Sequence, residues 1–246
     1  MKIMLSPSLI KLANRVAKIP GLKKLLKPFY YSYKSKLAKN RNEQFKCYGM
    51  TVLELFDRVM VENNIPYTVF AGTMLGAIRE HTFISHDMDI DTAIFYNDRP
   101  NNLTELLCAY GFKLIHKFDI NDGKRGLEET YIKDNVTLDI FYIYNDSQSG
   151  TYQCDFHPEI GSVSCDDSMK KYGYVIARRL EFPVSHNFLR IPFANIHVNV
   201  VDNYDEWLSC RYGKDYMVPN PQFSDNGTNP FIIEEWLQAT YHSFDL

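Results

Sequence analysis

A mixed fold of strands and helices, α/β or α+β, is predicted by three observations. The chain has 246 residues, 45% hydrophobic and 14% aromatic, enough to bury one sizeable core. Apolar, β-branched and aromatic runs of strand length alternate with segments whose apolar residues recur at helical spacing. Charge is also split. Residues 1–42 carry eleven Lys or Arg and no acid, while the rest holds sixteen basic against thirty acidic residues. The prediction is a basic arm over 1–42 on an acidic body over 43–246.

In the arm, Leu9, Leu12, Val16, Ile19, Leu22, Leu25 and Phe29 recur at three- and four-residue steps, with Lys11, Arg15, Lys18, Lys23, Lys24 and Lys27 mostly on other faces. This predicts an amphipathic basic helix, interrupted at Pro20-Gly21, that either lies on an anionic membrane surface or packs on its own body. An acidic body argues against nucleic acid as the partner. No apolar run approaches the roughly 18 residues that span a bilayer, and no signal-peptide core follows Met1. The expected location is cytoplasmic, either free or peripheral on the cytoplasmic membrane face. Cys47, Cys108, Cys154, Cys165 and Cys210 form an odd set without a C-x-x-C pair, as expected of reduced thiols. The sequons at Asn102, Asn135, Asn145 and Asn226 are read as products of an Asn-rich composition.

The body opens with a predicted helix over 43–63, ended by Asn63-Asn64. Ile65 to Ala71 reads as a strand, Gly72-Thr73 as a turn, and Met74 to Arg79 as a short helix. An acidic strand follows at about 88–96. Asn101 or Asn102 is expected to cap a helix to Tyr110, ended by Gly111. Phe112 to Phe118 is a predicted strand, and 119–126 a polar loop. Glu129 to Lys133 and Val136 to Tyr144 form a predicted hairpin around Asp134-Asn135. Residues 145–190 are expected to be loops with a short hairpin. His157, Lys170, Lys171, Arg178 and Arg179 there read either as anion contacts or as surface. Ile196 to Val201 is a strand, Tyr204 to Arg211 a helix, and Phe231 to Tyr241 a last amphipathic helix with Trp236 in the core.

Two places carry chemistry. In Asp87-Met88-Asp89-Ile90-Asp91, strand alternation would put three carboxylates on one face, each about 7 Å from the next. They repel one another unless a cation sits among them. In Val136 to Tyr144, Asp139 is a single acid within a run of β-formers. Burying it costs several kcal/mol unless a cation or hydrogen-bond donors compensate. An EF-hand reading of 87–98 fails, because Thr92 stands where that loop needs glycine and Asp98 where it needs a bidentate Glu. Neither a P-loop nor a G-x-G-x-x-G fingerprint is present.

The ordered set Gly72-Thr73-x-Leu75-Gly76-x-x-Arg79, Phe83-Ile84, Asp87-x-Asp89-x-Asp91 resembles the LicD/fukutin family of phosphotransferases, within the nucleotidyltransferase superfamily. Ser85 and His86 stand where that family usually has proline and tryptophan. Arg211 to Pro219 is similar to its Tyr-Gly-containing closing segment.

The resemblance implies an α+β fold: a nucleotidyltransferase-like mixed β-sheet flanked by helices. It implies Asp89, Asp91 and Asp139 as catalytic residues and ligands of Mg²⁺ or Mn²⁺, with Asp139 alternatively taking the acceptor proton. Gly72 and Thr73 would approach a phosphate at a helix N-terminus. Arg79 would clamp a phosphate or pair with Asp87; Asp87 is an outer ligand or orients Arg79; His86 is a neighbour. The reaction implied moves a phospho-alcohol (phosphocholine, ribitol phosphate or glycerol phosphate) from a CDP-activated donor to a sugar hydroxyl of a cell-surface glycan or glycolipid. Attack on the α-phosphate of a nucleoside triphosphate, or a non-catalytic metal-binding role at a membrane surface, are the alternatives.

Overall fold

The structure, a computed structural model, describes residues 22–146, 150–185, 187–220, 223 and 232–245. The predicted break at Pro20-Gly21 and the helix before it lie outside these residues, as do the side chains of 22–38. The chain divides into two compact units, Met1–Glu43 and Gln44–Leu246. No helix among the described residues is long and apolar enough to cross a membrane.

Helix α1 runs over Leu22–Glu62. Within the second unit it buries Phe45, Val52, Leu53, Phe56, Val59 and Met60, one stripe at three-, four- and seven-residue steps. Asn63 ends it by bonding Val59 O, and Asn64 turns left-handed at φ 54°. Strand β1 (Thr68–Val69) leads into α2 (Ala71–Arg79) and then β2 (Asp89–Phe95). A 3₁₀ turn at Tyr96–Asp98 and α3 (Leu103–Ala109) precede the antiparallel β3 (Lys113–Ile120), β4 (Gly126–Lys133) and β5 (Val136–Asp146). Then come β6 (Gly150–His157), α4 (Cys165–Tyr172), β7 (Val175–Phe182), the hairpin β8 (Phe188–Phe193) and β9 (Ile196–Val201), α5 (Tyr204–Tyr212), and β10 (Ile232–Ser243).

Eight strands form one mixed sheet in the order β1-β2-β5-β4-β3-β10-β7-β6, and the end of β5 pairs back to β6. The strands from β5 to β6 therefore close on themselves. Among the described residues only β2 and β5 run parallel, and the other pairings are antiparallel. This α+β architecture agrees with the expected mixed sheet flanked by helices.

Two internal ion-pair groups tie helices and turns to the strands. Arg190 on β8 holds Asp57 of α1 through both nitrogens, and Tyr67 O–H donates to the same carboxylate. Glu129, almost fully buried on β4, accepts from Arg99, Tyr131 and Tyr142. A buried carboxylate with a guanidinium and two phenols around it has its charge and lone pairs met.

Several expectations need correction. The predicted strand Ile65 to Ala71 shrinks to Thr68–Val69, and Gly72-Thr73 belong to the first turn of α2 rather than to a separate turn. The stretch 145–190 is mostly regular, holding β6, α4 and β7. The last element is a strand, not a helix. Ile232–Ser243 pairs with both β3 and β7, and that lateral pairing outweighs the helical spacing of its apolar residues. The side chain of Trp236 lies outside the described residues. By contrast, β9 spans Ile196–Val201 and the β4–β5 hairpin turns at Asp134-Asn135, both with positive φ, as expected.

Candidate active site

The site is built where α2 starts beside β2. Phe70 N–H bonds Asp91 O at 2.9 Å, and Phe70 caps α2 without any side-chain bond of its own. Asp91 supplies what is missing: its Oδ2 accepts from Gly72 N–H at 3.0 Å, while Asp91 N–H donates to Thr73 Oγ1 at 2.9 Å. A carboxylate thus meets the positive end of a helix, where free N–H groups favour negative charge. Ala71 enters this turn at φ 41°, a left-handed backbone that costs a β-carbon about 1 kcal/mol.

Gly72 is required by closeness. A β-carbon there would lie 3.2 Å from Asp91 Oδ2 and 3.4 Å from Asp87 Oδ1. Gly76 serves another purpose, since a β-carbon would stand 2.4 Å from Thr82 O. Its closeness is to the loop backbone before the acidic strand.

Asp91 on β2 and Asp139 on β5 are direct register partners on the parallel pair. Adjacent strands lie about 4.8 Å apart, so the two carboxylates emerge side by side on one face. Asp89 is two residues back on the same face. Asp87 precedes β2, so strand alternation does not place it; its Oδ2 accepts from Ile84 N–H at 3.0 Å. It still reaches the group, because Gly72 has both Asp87 and Asp91 against it. The predicted set Asp87, Asp89, Asp91, Asp139, Gly72 and Thr73 is therefore brought together. His86 is exposed on the preceding loop. Arg79 donates to Glu80 Oε1 at 3.0 Å and to Tyr216 O at 3.3 Å.

Two residues that sequence reasoning missed join the group. Thr130 on β4 is the register partner of Asp139, and Glu128 lies two residues away on that face. Its carboxyl is pushed well up by burial first, then by Asp139, Asp155 and Asp91. Arg211, on the last turn of α5, opposes this charge: it pulls both Glu128 and Asp91 down, and its guanidinium lies 5.6 Å from the Phe70 ring centre. The predicted strand from Glu129 leaves Glu128 out, whereas β4 starts at Gly126. Arg211 carried only the Tyr-Gly segment as a signal.

The electrostatics follow from crowding. Burial pushes the Asp91 carboxyl well up, Asp89 and Asp139 add to this, and Arg211 and Gly72 N–H offset part. Asp87 is raised to about 7, by burial and then Asp89, against the Ile84 N–H bond and Arg79. Asp87, Asp89, Asp91, Glu128 and Asp139 are all half-buried. Among the described residues no group of three or more His, Cys, Asp or Glu could hold a metal ion as it stands. What suits a divalent cation is the donor chemistry: hard carboxylate oxygens whose mutual repulsion a cation would relieve.

A mixed sheet joining an Asp-x-Asp strand, a parallel Asp-bearing strand and a Gly-Thr helix start is the arrangement expected of a nucleotidyltransferase domain. Comparison with known proteins agrees: residues 64–203 match the LicD/FKTN/FKRP nucleotidyltransferase domain, and the chain belongs to that family. It is 26% identical over 203 residues to the ribitol-5-phosphate transferase FKTN of Homo sapiens, and equally to those of Macaca fascicularis and Mus musculus. Each alignment covers 78% of this chain and 40% of the relative, so the matched part spans less than half the length of these proteins.

Proposed function

We propose that this protein is a metal-dependent phosphotransferase that moves a phospho-alcohol of the ribitol phosphate type from a CDP-activated donor to a sugar hydroxyl of a glycan. The observation that carries the reading is the Asp91–Asp139 register pair with Asp89 beside it, in a chain of this family. Mg²⁺ or Mn²⁺ held by Asp89, Asp91 and Asp139 would supply charge neutralisation at the donor's diphosphate.

The residues of the chain account for the rest. Gly72 N–H and Thr73 Oγ1 fix Asp91 at the start of α2, so its carboxylate is aimed before any ligand arrives. Arg211 faces the acids from α5 and is placed to bind the transferred phosphoryl oxygens, a task suited to a guanidinium. Glu128 takes the proton of the attacking hydroxyl, or Asp139 does so in place of binding the metal. Burial and neighbouring acids raise the affinity of Glu128 for protons, which suits it to that step.

Thermal unfolding with and without Mg²⁺ or Mn²⁺ tests the reading. The metal is expected to raise the Tm of the natural protein and to leave Asp89→Asn and Asp91→Asn unmoved, with turnover of CDP-ribitol lost in both. Equal metal stabilisation in the variants would refute the assignment.

A further inference from the structure

A recess lies on the same two strands, beyond the acids. It occupies about 470 Å³ where β2 and β5 end and β6 begins, between the 3₁₀ turn, the β3–β4 loop and β8. Phe95 and Ile143 line it, each four residues past Asp91 and Asp139. At about 3.3 Å per residue, that places it about 13 Å from the acidic site along the strands. Phe141, packed on Phe70 at 5.3 Å, stands between them on β5.

Its floor is a ladder of tyrosines. Tyr96 stacks on Tyr144 at 4.8 Å, and Tyr144 on Tyr152 at 5.2 Å. The two inner rings are buried, and their hydroxyls donate to Gly123 O and Arg125 O, which pins the β3–β4 loop. Half-buried Tyr96 is the outer ring. Around it stand the exposed Asn97, Asp98, Lys124 and Asn145. Thr151 Oγ1 donates to Asn145 Oδ1 at 2.8 Å, leaving the amide N–H groups of Asn145 as its donors.

This chemistry selects among ligands. Lys124 and Asp98 offset one another, so the rim favours no net charge. Amides, a carboxylate and an ammonium together both donate to and accept from hydroxyls. With the inner rings already stacked, Tyr96 offers its outer face as a platform beside Phe95 and Phe188. An aromatic face ringed by groups that both donate and accept suits the C–H face and hydroxyls of a sugar. Resting on the acceptor reading above, we propose that this recess binds an uncharged sugar unit of the acceptor glycan, removed along the chain from the reacting hydroxyl.

The test is titration of the full chain with neutral di- to tetrasaccharides of hexose, pentose and N-acetylhexosamine, without donor or divalent metal, followed by calorimetry. At least one oligosaccharide is expected to bind saturably. Its Kd should rise about tenfold in Tyr96→Ala and rise also in the exposed-rim variants Asn97→Ala and Lys124→Ala, with Asp91→Asn unchanged. Three results overturn the proposal: no saturable binding across the panel, binding untouched by all three recess variants, or binding lost in Asp91→Asn. Tight binding of CMP that Tyr96→Ala abolishes would assign the recess to the donor base and overturn it equally. Oligosaccharide binding without CMP release from any CDP-alcohol would sink the transfer reading and leave the sugar site standing.

Discussion

Asp91 and Asp139 face each other as register partners across the parallel pair of the sheet, and Asp91 is at the same time held by Gly72 at the start of α2. One carboxylate thus belongs both to a repelling acidic group and to a helix N-terminus that favours its charge. The sheet holds the acids together, and in the proposed function their repulsion would be the driving force for taking up a cation.

Acid crowding makes stability depend on pH. In the folded protein Asp87 keeps its proton up to about 7, against about 4 in an unfolded chain. The folded state therefore binds more protons in that window, and the stabilisation from this group, complete below about pH 4, is lost as pH rises through 7. In chelator, the Tm of Asp87→Asn minus that of the natural protein should grow from pH 4.5 to 8. A difference that stays constant with pH would contradict the buried, crowded carboxyl.

The two glycines of α2 should part company on substitution. Gly72→Ala places a methyl against the Asp91 and Asp87 carboxylates, so turnover should fall at least about tenfold while stability stays within about 1 kcal/mol, helped by alanine's helix propensity. Gly76→Ala drives a methyl into Thr82 O and should cost about 1–3 kcal/mol of stability. Chemical denaturation alongside turnover separates the two. Equal stability loss at both would remove the distinction.

Two arginines compete for the phosphate role. Arg211 acts on Asp91 and Glu128, whereas Arg79 bonds Glu80 and Tyr216 O and acts on Asp87. Arg211→Ala should lower kcat/KM about 100-fold or more, and Arg211→Lys should recover only part, because a point charge cannot form a two-pronged contact. Arg79→Ala should cost less. The reverse order would return the role to Arg79.

Much of this was legible from residues alone, for physical reasons. Ile196–Val201 and the hairpin at Asp134-Asn135 were readable because alternation and turn residues are local signals. An acid in an otherwise apolar strand showed that Asp139 needs a cation or donors; its grouping with Asp91 came from the family resemblance. What escaped depends on partners distant in the chain. Ile232–Ser243 has helix-like spacing and becomes a strand only because β3 and β7 offer it two edges. Glu128 and Glu129 are adjacent acids, yet one faces the site and the other a half-buried Arg99 and two tyrosines. No local pattern says which is which until the strand's register is known.

The central claim is transfer of a phospho-alcohol, and the identity of the small product tests it most directly. The protein would be incubated with Mg²⁺, a glycan acceptor extract, and in parallel a panel of CDP-alcohols and nucleoside triphosphates. Both chemistries would use the same carboxylates, and the donor's fit decides which phosphorus lies in line with the attacking hydroxyl. The account predicts CMP from a CDP-alcohol, abolished by chelator and by Asp91→Asn. Diphosphate released from a triphosphate, or metal-dependent binding with neither product, would contradict it.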